Sequence, residues 1–228
     1  KAEDLLAEYF KKYGIFALSG DETSKMELSL MSKEMNNVGS LYKSHRLYVY
    51  QSCINIYHRL YVEKEETMVD ALEPIEDIIM NVQKIFEDYH LDSIYYHLRI
   101  VFEYLKLEYY DHYKVYRKAE NYFEEVNDSC ADLLSNYPLF TYPAQFLMTK
   151  IKRHVRIGTV EEMYEENEVL FHDFEPDKND VPNYITYVIY RSLSCYYTKK
   201  YDEAARWVNN LLNELSLKKY PAAQLEIK

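Results

Sequence analysis

Glycine and proline are scarce. Four glycines and six prolines in 228 residues leave too few tight turns for a β-rich or doubly wound fold, which draws heavily on both. Gly14, Gly20, Gly39 and Gly158 stand apart from one another, so no glycine-rich loop can be built to cradle a phosphate. Cys53, Cys130 and Cys195 are widely spaced, odd in number and never in a C-x-x-C pair. That pattern suits reduced, buried thiols in a cytoplasmic setting rather than a disulfide framework. No apolar run reaches the roughly eighteen residues that a membrane span needs, so no membrane association is expected. The chain opens at Lys1 without Met and stops at Lys228 within a helical pattern, and the expectation is a piece of a longer protein.

Catalytic patterns are also missing. There is no G-x-S-x-G, and each cysteine sits in an apolar, aromatic helical pattern, which favours a structural thiol over a nucleophile. A carboxylate-bridged metal bundle needs Glu-x-x-His twice. Glu87 and His90 supply that spacing once, Glu108–His112 and Glu168–His172 have i, i+4 spacing instead, and no H-E-x-x-H occurs. No metal, cofactor or catalytic residue is therefore expected. Asn127-Asp128-Ser129 is formally a glycosylation sequon, but it falls inside a helical pattern and reads as chance. Lys and Arg total 27 against 38 Asp and Glu, a formal net charge of −11. An acidic chain disfavours nucleic acid or an anionic membrane as partner.

What the chain has is helical periodicity and tyrosine. Hydrophobic residues make up 48% and tyrosine alone accounts for 26 positions. Tyrosine packs its ring while keeping its hydroxyl at a wet edge, which suits a thin two-layer helical stack. Apolar residues recur at helical spacing over 1–13, from Ser24 onward, 40–62, 74–89, 92–111, 114–136, 143–157, 159–173 and 183–217. Gly14 is expected to end the first helix. Ser24 with Glu27, and Thr159 with Glu162, have capping-box spacing. Either a short helix over 66–72 or one continuous helix kinked at Pro74 precedes 75–89, and another helix after Pro221 completes the pattern.

The stretch Asn183–Leu217 holds two such helices around a very short break, in the block YYTKKYDEA. An aromatic pair closes the first helix at Tyr197, and Tyr201 opens the second. The block resembles the turn of a tetratricopeptide repeat, in which a small residue early in helix B lets helix A pack closely; Ala204 is that residue here. Ala119, Met163 and Ala204 begin successive second helices roughly 40 residues apart, against about 34 in the family pattern. The resemblance implies an all-α fold of antiparallel helical hairpins stacked as an α-α superhelix. It would form a single domain over 1–228, the alternative being a subdivision into irregular helices over 1–90 and hairpin repeats over 91–228.

Two surfaces are candidates for binding. Lys150, Lys152, Arg153, His154 and Arg156 share one helix, and Glu161, Glu162, Glu165, Glu166 and Glu168 follow on the next. The plain reading is mutual charge compensation within one hairpin. The functional reading places Lys152, Arg153 and Arg156 on a concave wall, where cations hold a peptide's carboxylates. The second surface is aromatic: Tyr96, Tyr104, Tyr187, Tyr190 and Tyr197, with Tyr190 and Arg191 expected as an exposed pair. Most aromatic stripes at helical spacing are core, so both readings stay open. The expected function is a non-catalytic helical-repeat scaffold that binds a protein or peptide. Self-association through exposed ends is possible for a solenoid. A ligand-sensing regulatory domain is the alternative, and a carboxylate-metal enzyme ranks last.

Overall fold

The structure, a computed structural model, describes residues 1–63, 73–89, 95–136, 142–171 and 176–227, and among these the regular elements are helices without strands. The first helix, α1 (Ala2–Ser19), buries Leu5, Leu6, Tyr9 and Phe10 on one face. It passes through Gly14 and ends at Gly20, whose φ of 66° lets its N–H reach the Phe16 carbonyl at 2.7 Å. Gly14 therefore does not stop the helix as its position suggests. A glycine terminates a helix where the chain takes a left-handed turn, and Gly20 is the residue that does so. The next helix, α2 (Glu22–Leu41), begins before Ser24, so Ser24 lies buried in the first turn rather than capping it.

Helix α2 continues through Gly39 because the missing side chain is needed there. A Cβ at Gly39 would run into the Gln51 side-chain amide of α3 (His45–Tyr61). That amide donates to Asn36 Oδ1 at 2.9 Å. The chain continues with α4 (Ile75–Tyr89), α5 (Tyr96–His112), α6 (Tyr116–Asn136), α7 (Tyr142–Ile157), α8 (Glu162–Phe171), α9 (Val181–Tyr197) and α10 (Tyr201–Glu214). A 3₁₀ turn over Leu217–Lys219 and a last helix α11 (Pro221–Ile227) follow. No described helix is long and apolar enough to cross a membrane. Residues 66–72, and the side chains of His90, Cys130, Glu168 and His172, fall outside the described positions.

The chain divides into two compact units. The first comprises residues 1–12 and 22–130, and the second 13–21 and 131–228. In the first unit α3 packs against α2, α4 and α5. Phe10, Tyr57 and Tyr104 meet in its core, with ring centroids 5.0 Å apart for Phe10–Tyr57 and 6.2 Å for Tyr57–Tyr104. Helix α5 is buried on most of its circumference, from His97 through Glu108. In the second unit α9 touches α7, α8, α10 and α11, and buries Tyr184, Ile185, Tyr187, Val188, Ile189, Tyr190 and Cys195. A helix covered on several sides keeps little polar surface, which explains its largely apolar and aromatic sequence.

Three connections share one backbone geometry. Lys114 (φ 59°), Gly158 (φ 77°) and Lys199 (φ 64°) take the left-handed conformation between α5 and α6, α7 and α8, and α9 and α10. Each stands five positions before Ala119, Met163 or Ala204, all three of which are buried. The following N–H bonds back to the helix in the same way: Val115 to Tyr110 O at 2.8 Å, Thr159 to His154 O at 3.1 Å and Lys200 to Cys195 O at 2.8 Å. A left-handed residue with this bond satisfies carbonyls that a helix end leaves without partners.

Candidate functional site

The second unit carries the cationic helix and the Tyr187, Tyr190 and Tyr197 part of the aromatic surface, whereas Tyr96 and Tyr104 lie on α5 in the first. Helices α9 and α10 are joined by the Thr198–Lys200 turn and meet closely at Ala204, whose carbonyl accepts from the Ser192 hydroxyl at 3.3 Å. A larger residue at 204 would push the helices apart. Above this contact lies a groove of about 560 Å³, lined among others by Leu193, Tyr196, Tyr201, Ala205 and Val208. Tyr196 and Tyr201 are 56% and 57% exposed, and their rings meet edge-on at 5.6 Å. Ile227 of α11 lines part of the groove, so a short helical segment of the chain itself already packs against this surface.

The predicted aromatic pair is placed differently. Tyr190 is wholly buried and Tyr187 nearly so, because α9 is covered on several sides. Tyr104 is likewise buried, whereas Tyr96 is 45% exposed. Arg191 remains half-buried on the α10 side, its guanidinium 5.2 Å from the Trp207 ring and 6.0 Å from that of Tyr187. It braces the α9–α10 hairpin by cation–π contact. Tyr197 is half-buried and stacks edge-on with Tyr196 at 5.8 Å. The tyrosines that do face the groove, Tyr196 and Tyr201, belong to the turn block rather than to the predicted stripe.

The charged helix α7 divides by face. Lys152 is exposed, and Arg153 and Arg156 are half-buried and engaged. Lys150 and His154 point inward and are buried. Lys150 Nζ lies 2.8 Å from Glu166 Oε2 of α8, and His154 Nε2 lies 3.4 Å from the same oxygen. Charge compensation within the hairpin is therefore present at Lys150. On its other side, His154 Nδ1 is 3.0 Å from the Thr159 carbonyl and 2.9 Å from the Thr159 hydroxyl. His154 and then Lys150 hold the Glu166 carboxyl down to about 2, against a burial that pushes it up. The Thr159 hydroxyl is thus engaged with His154, while the Thr159 carbonyl accepts from the Glu162 N–H at the start of α8 at 3.1 Å. Glu162, one helical turn before Glu166, completes a group whose ligand atoms lie within 4.8 Å of one another.

The first unit holds a cavity of another character. About 410 Å³ in volume, it is bounded by α2, α3 and the start of α4, and its lining includes Ser29, Asn36, Asn55, His58, Glu63 and Glu73. His58 accepts or shares a proton with Tyr9 Oη at 2.9 Å through Nδ1, and its Nε2 is 3.3 Å from Glu63. Burial pushes the His58 imidazole below its usual value, and the Glu63 carboxylate only partly restores it. In this cavity the Ser29 hydroxyl donates to Glu63 Oε1 at 3.2 Å, the same oxygen that faces His58 Nε2. Comparison with family models, with curated proteins and with solved structures finds no match.

Proposed function

We propose that this chain is a non-catalytic helical-hairpin module, tetratricopeptide-like in its stacking, that binds an amphipathic helix of a partner protein in the α9–α10 groove. The groove itself carries the reading: apolar, lined by Leu193, Tyr196, Tyr201 and Val208, and open enough to leave two tyrosines more than half exposed. Aromatic anchors of this kind dominate binding energy at helix-in-groove interfaces. The contact of Ile227 with the groove indicates the chemistry of the occupant, an aliphatic side chain on a short helix. The stacking part of the proposal is supported by α9 touching α7, α8, α10 and α11, which is how the first helix of a hairpin meets its neighbours in a solenoid.

A photo-crosslinking residue at Ala205 in the full chain tests the proposal in cell extract. The expected product joins Ala205 to a partner segment with aliphatic residues on one helical face, and Val208→Glu abolishes it while circular dichroism stays unchanged. Lys152→Glu on the exposed face of α7 leaves the product intact. Crosslinks that persist in Val208→Glu, or that map to no helical segment, overturn the groove as the binding surface. A second reading, a small polar ligand in the first unit, is favoured only by the polar lining of the α2–α3–α4 cavity. Its sign would be ligand-dependent protection of α3 amides from exchange.

A further inference from the structure

The α7–α8 hairpin places an imidazole and two carboxylates around one point. His154 is wholly buried, and its Nε2 has no hydrogen-bond partner although Glu166 Oε2 lies 3.4 Å away. The ring's orientation is set from behind. Nδ1 lies 3.0 Å from the Thr159 carbonyl and 2.9 Å from the Thr159 hydroxyl, and in the tautomer protonated at Nδ1 the carbonyl accepts that proton. In the neutral imidazole the Nε2 lone pair then faces a carboxylate oxygen. Two acceptors at that distance need a proton or a cation between them. This arrangement, with Nδ1–H donating to a backbone carbonyl and Nε2 directed at carboxylates, is how proteins present histidine to a metal.

The distances suit a small cation. Bonds of about 2.1 Å in a tetrahedral zinc site put neighbouring ligand atoms about 3.4 Å apart. The His154 Nε2 to Glu166 Oε2 separation is 3.4 Å. Glu162 stands at i−4 to Glu166 on α8, so both carboxylates share a helix face, and all three ligand atoms fall within 4.8 Å of one another. A rotamer adjustment at exposed Glu162 closes the remaining gap. Lys150 does not block the position. A carboxylate oxygen has two lone pairs, so Glu166 Oε2 can keep Lys150 on one and take a cation on the other.

We infer that His154, Glu162 and Glu166 form a binding site for a divalent first-row metal ion of the zinc type, with Lys150 as the outer-sphere clamp on Glu166. The nitrogen-and-oxygen ligand set suits Zn²⁺ or Fe²⁺ better than the all-oxygen cations. Three protein ligands leave a fourth position for water or an incoming group, as in open zinc sites. The site lies on α7 and α8, away from the α9–α10 groove lining, and is independent of the partner-helix proposal.

The test uses the full chain with ZnCl₂ in calorimetry and CoCl₂ in absorbance spectroscopy. The expected result is saturable binding of one ion per chain, with weak visible bands from a four- or five-coordinate cobalt site. The strong near-ultraviolet charge transfer of a thiolate ligand is absent, which separates this site from one at a cysteine. Glu162→Gln, on the exposed rim, lowers affinity about tenfold or more, as does His154→Gln. Glu162→Gln removes no buried group, so it decides the matter even if His154→Gln impairs folding. No stoichiometric binding, a thiolate spectrum, or affinity unchanged in Glu162→Gln overturns the assignment.

Discussion

A buried lysine stands in each of the two units, and the two are answered differently. In the first, Lys106 is 3% exposed and its Nζ lies 2.5 Å from Glu103 one turn earlier on the same helix. The rings of Phe102 and Tyr122 flank it at 5.1 Å and 4.2 Å. Burial nonetheless pushes the Glu103 carboxyl above its usual range, because desolvation outweighs the Lys106 ammonium. In the second, Lys150 is 1% exposed, but its partner Glu166 comes from the neighbouring helix and also faces His154. There the carboxyl is drawn down. The number of cationic partners and the share of solvent, more than burial alone, decide whether a carboxylate keeps its charge. A pair closed on one helix serves packing, whereas a carboxylate shared across two helices retains the charge that a ligand site needs.

The largest expected effect separates the two lysines directly. Lys106→Met leaves Glu103 buried without its partner and should cost about 3–5 kcal/mol. Lys150→Met should cost less, about 1–2 kcal/mol, because Glu166 keeps His154 and is partly in water. Hydrogen exchange read separately on α5 and α7 peptides measures both, and equal losses would break the comparison. Next in size, Ala204→Leu should destabilise the α9–α10 hairpin by about 1–3 kcal/mol through overpacking against Ser192. Ala119→Leu should do the same to α5–α6, and an unchanged melting temperature for either would end the equivalence of the two turns.

A smaller effect sharpens the contrast through pH. His58 is held neutral in the fold below its ordinary value of 6.5, so the unfolded chain binds the proton more readily. The stability it contributes is present above pH 6.5 and is lost as the pH falls below it. The first unit should therefore soften between pH 7 and pH 5, and His58→Gln should flatten that slope. The smallest effect lies in the turns. Lys114→Gly and Lys199→Gly should each stabilise by about 0.5–1 kcal/mol, since a side chain at positive φ carries strain that glycine lacks. Gly158→Ala should destabilise α7–α8 by about 1 kcal/mol from backbone strain alone, as its Cβ would meet nothing within 4 Å. Chemical denaturation of the three variants reads these values.

The helices and their turns were legible in the residues themselves. Apolar spacing located α4 to α10 to within a few residues, and the small or apolar positions Ala119, Met163 and Ala204 follow three turns of one geometry. These features depend on neighbours in sequence, where periodicity and left-handed turns act over one or two helical turns. Gly14 and Ser24 were misleading because a glycine or a serine near a helix end offers a stop or a cap without compelling either.

The sites depended on contacts between helices. A stripe of tyrosines marks α9 as amphipathic, but only its covering by four other helices buries Tyr187 and Tyr190 while Tyr196 stays open. A search for metal ligands within one helix passes over His154, since its carboxylates stand on α8 and the link runs through the α7–α8 turn. Local sequence thus determined that the chain is helical and where it turns, because hydrogen bonds within a helix join residues four apart. Which faces are covered, which charges meet and where a groove remains were decided by tertiary packing, because those contacts join residues that no fixed spacing relates.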